Sequence, residues 1–135
     1  MTAAPPRLVI DASALVGLVL DPGERGAHVA ELVSGAQLHA PALLPFEVAN
    51  VLRRLHLAGR LTAGEAAVAH DDAARLPVEL WPYEVVGPRV WELRGSLTAY
   101  DGAYVALAER LGARLLTADR RLAAAPGPRC PIVLA

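Results

Sequence analysis

The sequence predicts an α/β domain with a central, mostly parallel sheet flanked by helices, and three observations point there. Short Leu-, Val- and Ile-rich runs alternate with helical patterns from about residue 7 to residue 134. Glycines fall where those helical patterns should stop. Of the 135 residues, 54% are hydrophobic and 20% charged, a composition that builds one core and is unlike that of disorder. With no repeat, linker or low-complexity stretch, the expected domain is single, over 1–135 with its core at about 7–134.

Arg7–Ile10 reads as a buried strand that ends on Asp11. Ala12–Leu20 has helical composition until Asp21-Pro22-Gly23 breaks it. Glu24–Ser34 is amphipathic and stops at Gly35, and Gln37–Ala40 is a short strand before Pro41. Leu44-Pro45-Phe46-Glu47 opens the clearest helix, which runs to about Ala58. Its apolar positions Val48, Val51, Leu52 and Leu55 follow the helical period, and Pro45 sits in the tolerant first turn. Thr62 and Glu65 form a capping box for a helix reaching about Leu76. Val78–Tyr83 is a strand weakened by Pro82, and Pro88–Leu97 and Ala99–Leu111 are helices, the second closed by Gly112. Arg114–Thr117 is a strand, Asp119–Ala125 a short helix and Pro131–Leu134 the last strand.

Composition excludes several function classes. The net charge is −1, and all 13 basic residues are arginine, a bias that reflects genome composition more readily than affinity for nucleic acid. A basic nucleic-acid coat is excluded, and any polyanion contact must be local. One cysteine, Cys130, cannot form an internal disulfide, which points to a reducing compartment and an incidental thiol. The longest apolar run, Ala12–Leu20, falls short of the ~20 residues a membrane helix needs. The expected location is the cytoplasm, with no membrane association.

In a parallel sheet, ligands bind beyond the carboxyl ends of the strands. Asp11 ends the first strand, and Asp119 follows the Arg114–Thr117 strand by two residues, so both belong to that rim. Glu47 and Asp101 each fall in a helix's first turn. Taken singly, those two read as helix-end charges favoured by the macrodipole. Together, four acids in apolar surroundings raise one another's pKa and cost stability unless a cation neutralises them. A hard divalent ion with oxygen ligands answers that need, and Mg²⁺ does so through one or two carboxylates while keeping several waters.

Four segments carry a resemblance: Val9-Ile-Asp11-Ala-Ser13, Pro45-Phe-Glu47-Val-Ala-Asn50-Val-Leu-Arg-Arg54, Tyr100-Asp101-Gly-Ala-Tyr104-Val-Ala-Leu-Ala108 and Leu115-Leu-Thr117-Ala-Asp119-Arg-Arg-Leu122. In that order and with those gaps they resemble the PIN domain, and more closely VapC, the toxin ribonuclease of bacterial toxin–antitoxin pairs. The likeness spans about residues 7 to 134. It implies that Asp11, Glu47, Asp101 and Asp119 are the acidic site, with Ser13 and Thr117 as supporting hydroxyls. Asp11 and Asp101 would be the most direct metal ligands, and Glu47 and Asp119 would ligate or act through water. Gly102 stands where such sequences often carry alanine, which weakens that helix start slightly. The implied reaction is hydrolysis of an RNA phosphodiester with Mg²⁺ or Mn²⁺, one ion or two, leaving a 5′-phosphate.

Arg53, Arg54, Arg60, Arg120 and Arg121 are candidates for phosphate contact, and each reads equally as a solvated or salt-bridged residue. Arg120 and Arg121, beside Asp119, are the better candidates for RNA or for an antitoxin's acidic tail. Tyr100 and Tyr104 share a helix face and read as core or interface packing, as do Trp81 and Trp91. The four histidines, at 28, 39, 56 and 70, show no ligand spacing and read as surface or structural. Glu24–Ser34, Phe46–Ala58 and Thr62–Leu76 carry more apolar face than one small sheet can cover, which predicts self-association. The resemblance adds a homodimer and a VapB-like antitoxin threading a segment across the active-site groove. Two other readings compete. A haloacid-dehalogenase-type phosphoaspartyl enzyme needs a second Asp where Ser13 stands, and a lysine, of which the chain has none. A catalytically silent PIN-like interaction module would not need all four acids.

Overall fold

The computed structural model describes residues 3–135; residues 1 and 2 of the expected domain lie outside the described residues. Five strands form one sheet: β1 Arg7–Ile10, β2 Gln37–Pro41, β3 Val78–Trp81, β4 Arg114–Thr117 and β5 Ile132–Leu134. Their order is β3-β2-β1-β4-β5, and every pairing is parallel. The first strand of the sequence is thus the central one, with Leu8 opposite Leu38 on one side and Val9 opposite Leu115 on the other. Val9, Ile10, Leu115 and Leu116 are fully buried, as strands covered on both faces must be.

Helices fill the connections: α1 Ala12–Leu20, α2 Glu24–Val33, α3 Leu44–Leu57, α4 Ala63–Arg75, α5 Tyr83–Glu92, α6 Ala99–Leu111 and α7 Arg120–Ala124. α1 packs against α2, α3 and α4. Side chains of Leu15, Leu44, Val48 and Ala73 meet Val78 and Leu80 of β3 around an apolar cavity of about 130 Å³. α6 packs on β1, β2 and β4, with α5 against it, and its stretch Gly102–Ala108 is buried throughout. Arg89 of α5 lies 2.8 Å from Glu109 of α6 and also donates to the Gly127 carbonyl, tying both helices to the last loop. The Thr62–Glu65 capping box forms as the sequence predicts. Gly112 ends α6 with φ 61°, a left-handed conformation that suits glycine.

One region departs from the sequence expectation. The third strand ends at Trp81 rather than Tyr83, and the following helix begins at Tyr83 with Pro88 inside it. Proline is common at a helix start, so Pro88 reads locally as a beginning. Packing decides otherwise: Val86, Gly87 and Val90 bury one face of α5 against α6, and that burial outweighs the single backbone bond Pro88 forgoes. The predicted run to Leu97 becomes a 3₁₀ turn over Leu93–Gly95.

The chain proceeds from β1 outward to β3, then crosses back to place β4 on the other side of β1. The order therefore reverses between β1 and β4, the kind of crevice where parallel sheets bind ligands.

Candidate active site

Asp11 leaves β1 at that crevice and caps α1. Its Oδ1 accepts the Ala14 N–H at 3.0 Å and the Ser13 hydroxyl at 2.6 Å, and its Oδ2 accepts the Thr117 hydroxyl. The Asp11 N–H donates to the Leu116 carbonyl at 3.1 Å, fastening the end of β1 to β4. Ser13 Oγ accepts the Ala118 N–H at 2.9 Å, and Thr117 Oγ1 accepts the Asp119 N–H at 3.0 Å. The two hydroxyls therefore bind Asp11 to the turn that carries Asp119. That turn becomes the cap of α7, with Asp119 Oδ1 accepting the Arg121 N–H at 2.9 Å.

Glu47 comes from the first turn of α3, and Asp101 from that of α6, where the Thr98 hydroxyl caps the Asp101 N–H at 3.2 Å. All four acids, with Ser13, line one cavity of about 240 Å³. Thr117 lies fully buried beneath it. Tyr104, one helical turn beyond Asp101, also reaches this cavity and donates its hydroxyl to Glu47 Oε1 at 2.6 Å. Sequence reasoning assigned Tyr104 to packing alone. It does pack, at 1% exposure, yet its hydroxyl belongs to the site. The signal available was its position three residues from Asp101, on the same helix face.

The electrostatics of the cavity follow from its acids. Burial pushes the Asp11 carboxyl above its ordinary range, opposed by its three hydrogen bonds and reinforced by the charge of Asp119. Glu47 is raised by burial and by Asp101 and Asp11, against the Tyr104 hydrogen bond and Arg54. Asp101 is raised by burial, then by Asp119 and Asp11, with Arg121 opposing. Burial and the Glu47 hydrogen bond raise the Tyr104 phenol, which stays a donor. The charges of Asp11, Asp101 and Asp119 thus make Asp11, Glu47 and Asp101 harder to ionise, which is the condition a cation relieves.

The donor set is all oxygen, as a hard divalent ion requires. Among the described residues, no three His, Cys, Asp or Glu side chains stand close enough together to hold an ion on their own. A divalent ion in this cavity would be held by one or two of its carboxylates, with water completing its shell.

Other predicted positions separate. Arg54 lines the cavity, whereas Arg53 and Arg60 do not. Arg121 sits at the rim, 96% exposed, with Nε 3.9 Å from Asp119 Oδ1. Arg120 is exposed and makes no ion pair among the described residues. Trp81 packs against the core as expected and donates to His39 Nδ1 at 3.0 Å. Trp91 departs from its packing assignment: it is exposed and lies under the Arg94 guanidinium, because its position on α5 faces away from α6. Burial pushes the Cys130 thiol up to about 11, consistent with an inert side chain.

Residues 8–128 match the PIN domain family. Ribonuclease VapC9 of Mycobacterium tuberculosis is 39% identical over 127 residues, covering 94% of this chain and 97% of its own. The protein PAE2754 from Pyrobaculum aerophilum superposes with a TM-score of 0.68 at 26% identity, over 94% of this chain and 83% of that one. VapBC2 from Rickettsia felis, solved bound to a DNA fragment from their promoter, gives 0.64 at 12% identity, over 95% and 98%. A sheet order that brings Asp11 and Asp119 to one crevice, together with this likeness along nearly the whole chain, leads to one conclusion: the chain belongs to the PIN-domain family and, within it, to the VapC ribonucleases.

Proposed function

We propose that this VapC-type endoribonuclease, the toxin of a type II toxin–antitoxin pair, cleaves RNA at the cavity of Asp11, Glu47, Asp101 and Asp119 with the aid of Mg²⁺ or Mn²⁺. The convergence of four carboxylates from four separate elements on one cavity carries the reading. Asp11 and Asp101 are its most direct metal ligands, and Glu47 and Asp119 ligate or act through water. A divalent ion held there would supply polarisation of the phosphate and a lowered pKa for the attacking water. The protein's own residues set the stage. Ser13 and Thr117 hold the Asp11 carboxylate in one orientation, and Tyr104 does the same for Glu47. Asp119, fixed by the backbone of α7, borders the opposite side of the crevice. Arg120 and Arg121, at the rim, meet the RNA backbone or an acidic segment of the antitoxin.

The protein works in the cytoplasm as a homodimer and is silenced by a VapB-like antitoxin. Exposed Phe46, Leu57 and Val68 on α3 and α4 support the apolar contacts this requires. Asp11→Asn and Asp101→Asn keep the shape and remove ligand charge. Each variant should remain folded, lose RNA cleavage by at least about a hundredfold and abolish growth arrest on expression. Cleavage by Asp101→Asn at the wild-type rate would overturn the site. In sedimentation, the protein alone should run at twice 14.2 kDa. Co-expression with the product of the adjacent small gene should give a larger complex without ribonuclease activity.

A further inference from the structure

α3 presents a continuous strip to the acidic cavity. Glu47, Asn50, Val51 and Arg54 recur at i, i+3, i+4 and i+7, so they share one helix face, and all four line the cavity. Arg54 is the one cation in that lining. Elsewhere in the protein, arginines near acids are committed: Arg89 stands 2.8 Å from Glu109 and 3.2 Å from Glu92. Arg54 makes no ion pair among the described residues, although its charge is felt at Glu47. It stands seven residues from Glu47, about 10 Å along the helix axis. An arginine placed only to neutralise the acids would close on one of them, as Arg89 does. This one keeps its planar fork of donors free at the far end of the same cavity, the arrangement that suits a phosphate.

We propose that Arg54 anchors an RNA phosphate adjoining the one that is cleaved, with the Asn50 amide, one turn nearer the acids, as a hydrogen-bonding neighbour of the same nucleotide. This assignment rests on the nuclease reading above and adds to it a substrate-positioning residue outside the acid set. Charge complementarity across the cavity then has a direction. The acids sit at the N-terminal end of α3 where the bond breaks, and the cation sits two turns along, where the uncleaved backbone continues. Arg54 acts on binding and register and leaves the bond-breaking step to the acids.

The test uses the full chain and an RNA that the wild-type protein cleaves. Arg54→Gln should raise KM about tenfold or more while kcat stays within about threefold. In the Asp101→Asn background, RNA binding titrated against salt should lose about 0.7 from its log–log slope on adding Arg54→Gln, the share of one phosphate contact on a single strand. Arg54→Lys, which keeps the charge and loses the fork, should retain the slope yet bind several-fold more weakly. Arg25→Gln, the same charge change on exposed α2, should leave KM, kcat and slope unchanged. The thermal shift produced by Mn²⁺ should be the same in Arg54→Gln as in wild type. A wild-type KM and slope in Arg54→Gln would overturn the proposal. So would a fall in kcat and in the Mn²⁺ shift at constant KM, which would make Arg54 a charge partner of Glu47. Wild-type protein that cleaves no RNA would overturn the nuclease reading itself, and the anchor with it.

Discussion

Tyr104 joins two jobs in one side chain: its ring fills the core beneath α6, and its hydroxyl holds Glu47. Tyr104→Phe keeps the ring and frees the carboxylate, so the fold should survive while Mn²⁺ affinity, read by calorimetry, falls about 10–100-fold, as for other partners that orient a ligand. Unchanged affinity would limit Tyr104 to packing. Asp11 allows a second test at this scale, through pH. Its carboxyl is raised by burial in the folded protein, whereas in the unfolded chain it ionises near the ordinary value of about 4. Between those values the folded state holds the extra proton, so this group's stabilisation is complete below the unfolded value. It is lost as pH rises through the folded one. Metal-free wild type should therefore lose urea stability more steeply than Asp11→Asn, which has no proton to release, as pH rises above about 4. Equal slopes would contradict the burial argument. The four acids were legible in the sequence because each adjoins a strand end or helix start. Tyr104 and Arg54 were harder to assign, because a helix face turns toward a cavity only once the neighbouring elements are placed.

Among the elements, α6 and α2 make opposite use of glycine. A Cβ on Gly102 would meet Val90 at 3.8 Å, ordinary contact, so Gly102→Ala should stabilise the protein by about 0.5–1 kcal/mol through helix propensity alone. A Cβ on Gly26 would come 1.8 Å from the Asp21 carbonyl oxygen, where nothing soft can yield. Gly26→Ala should destabilise by more than about 1 kcal/mol, since α2 must shift off the end of α1. Urea denaturation of both variants checks the pair: a Gly26→Ala protein as stable as wild type would contradict the close approach of α2 to Asp21, and a destabilised Gly102→Ala would contradict the room at α6. Strands and most helices were readable because their signals are local: Thr62–Glu65, Gly112, and the apolar period of Val48, Val51, Leu52 and Leu55. The start of α5 was not, because burial of Val86 and Val90 against α6 overrides the local meaning of Pro88.

For the whole molecule, four acids in one cavity make the metal-free state the less stable one. An ion that binds only the folded state at a hundred times its Kd adds about 2.7 kcal/mol, on the order of 10 °C in Tm for a chain of this size. Mg²⁺ or Mn²⁺ should raise the wild-type Tm by that order and the Tm of Asp11→Asn much less, as differential scanning fluorimetry would read. Equal shifts would detach the metal from the cavity. The alternation of strands and helices made the parallel class legible, but the order β3-β2-β1-β4-β5 was not, because strand neighbours are set by crossovers that leave no local mark. That order also governs when the acidic cavity can be completed. β1 precedes β2 and β3 in the sequence yet lies in the middle of the sheet, and its second partner, β4, and the acid that follows it come after both. A nascent chain therefore carries Asp11, Glu47 and Asp101 without the wall that holds them together. The crevice that gathers Asp119 with those three acids can close only once β4 has been made.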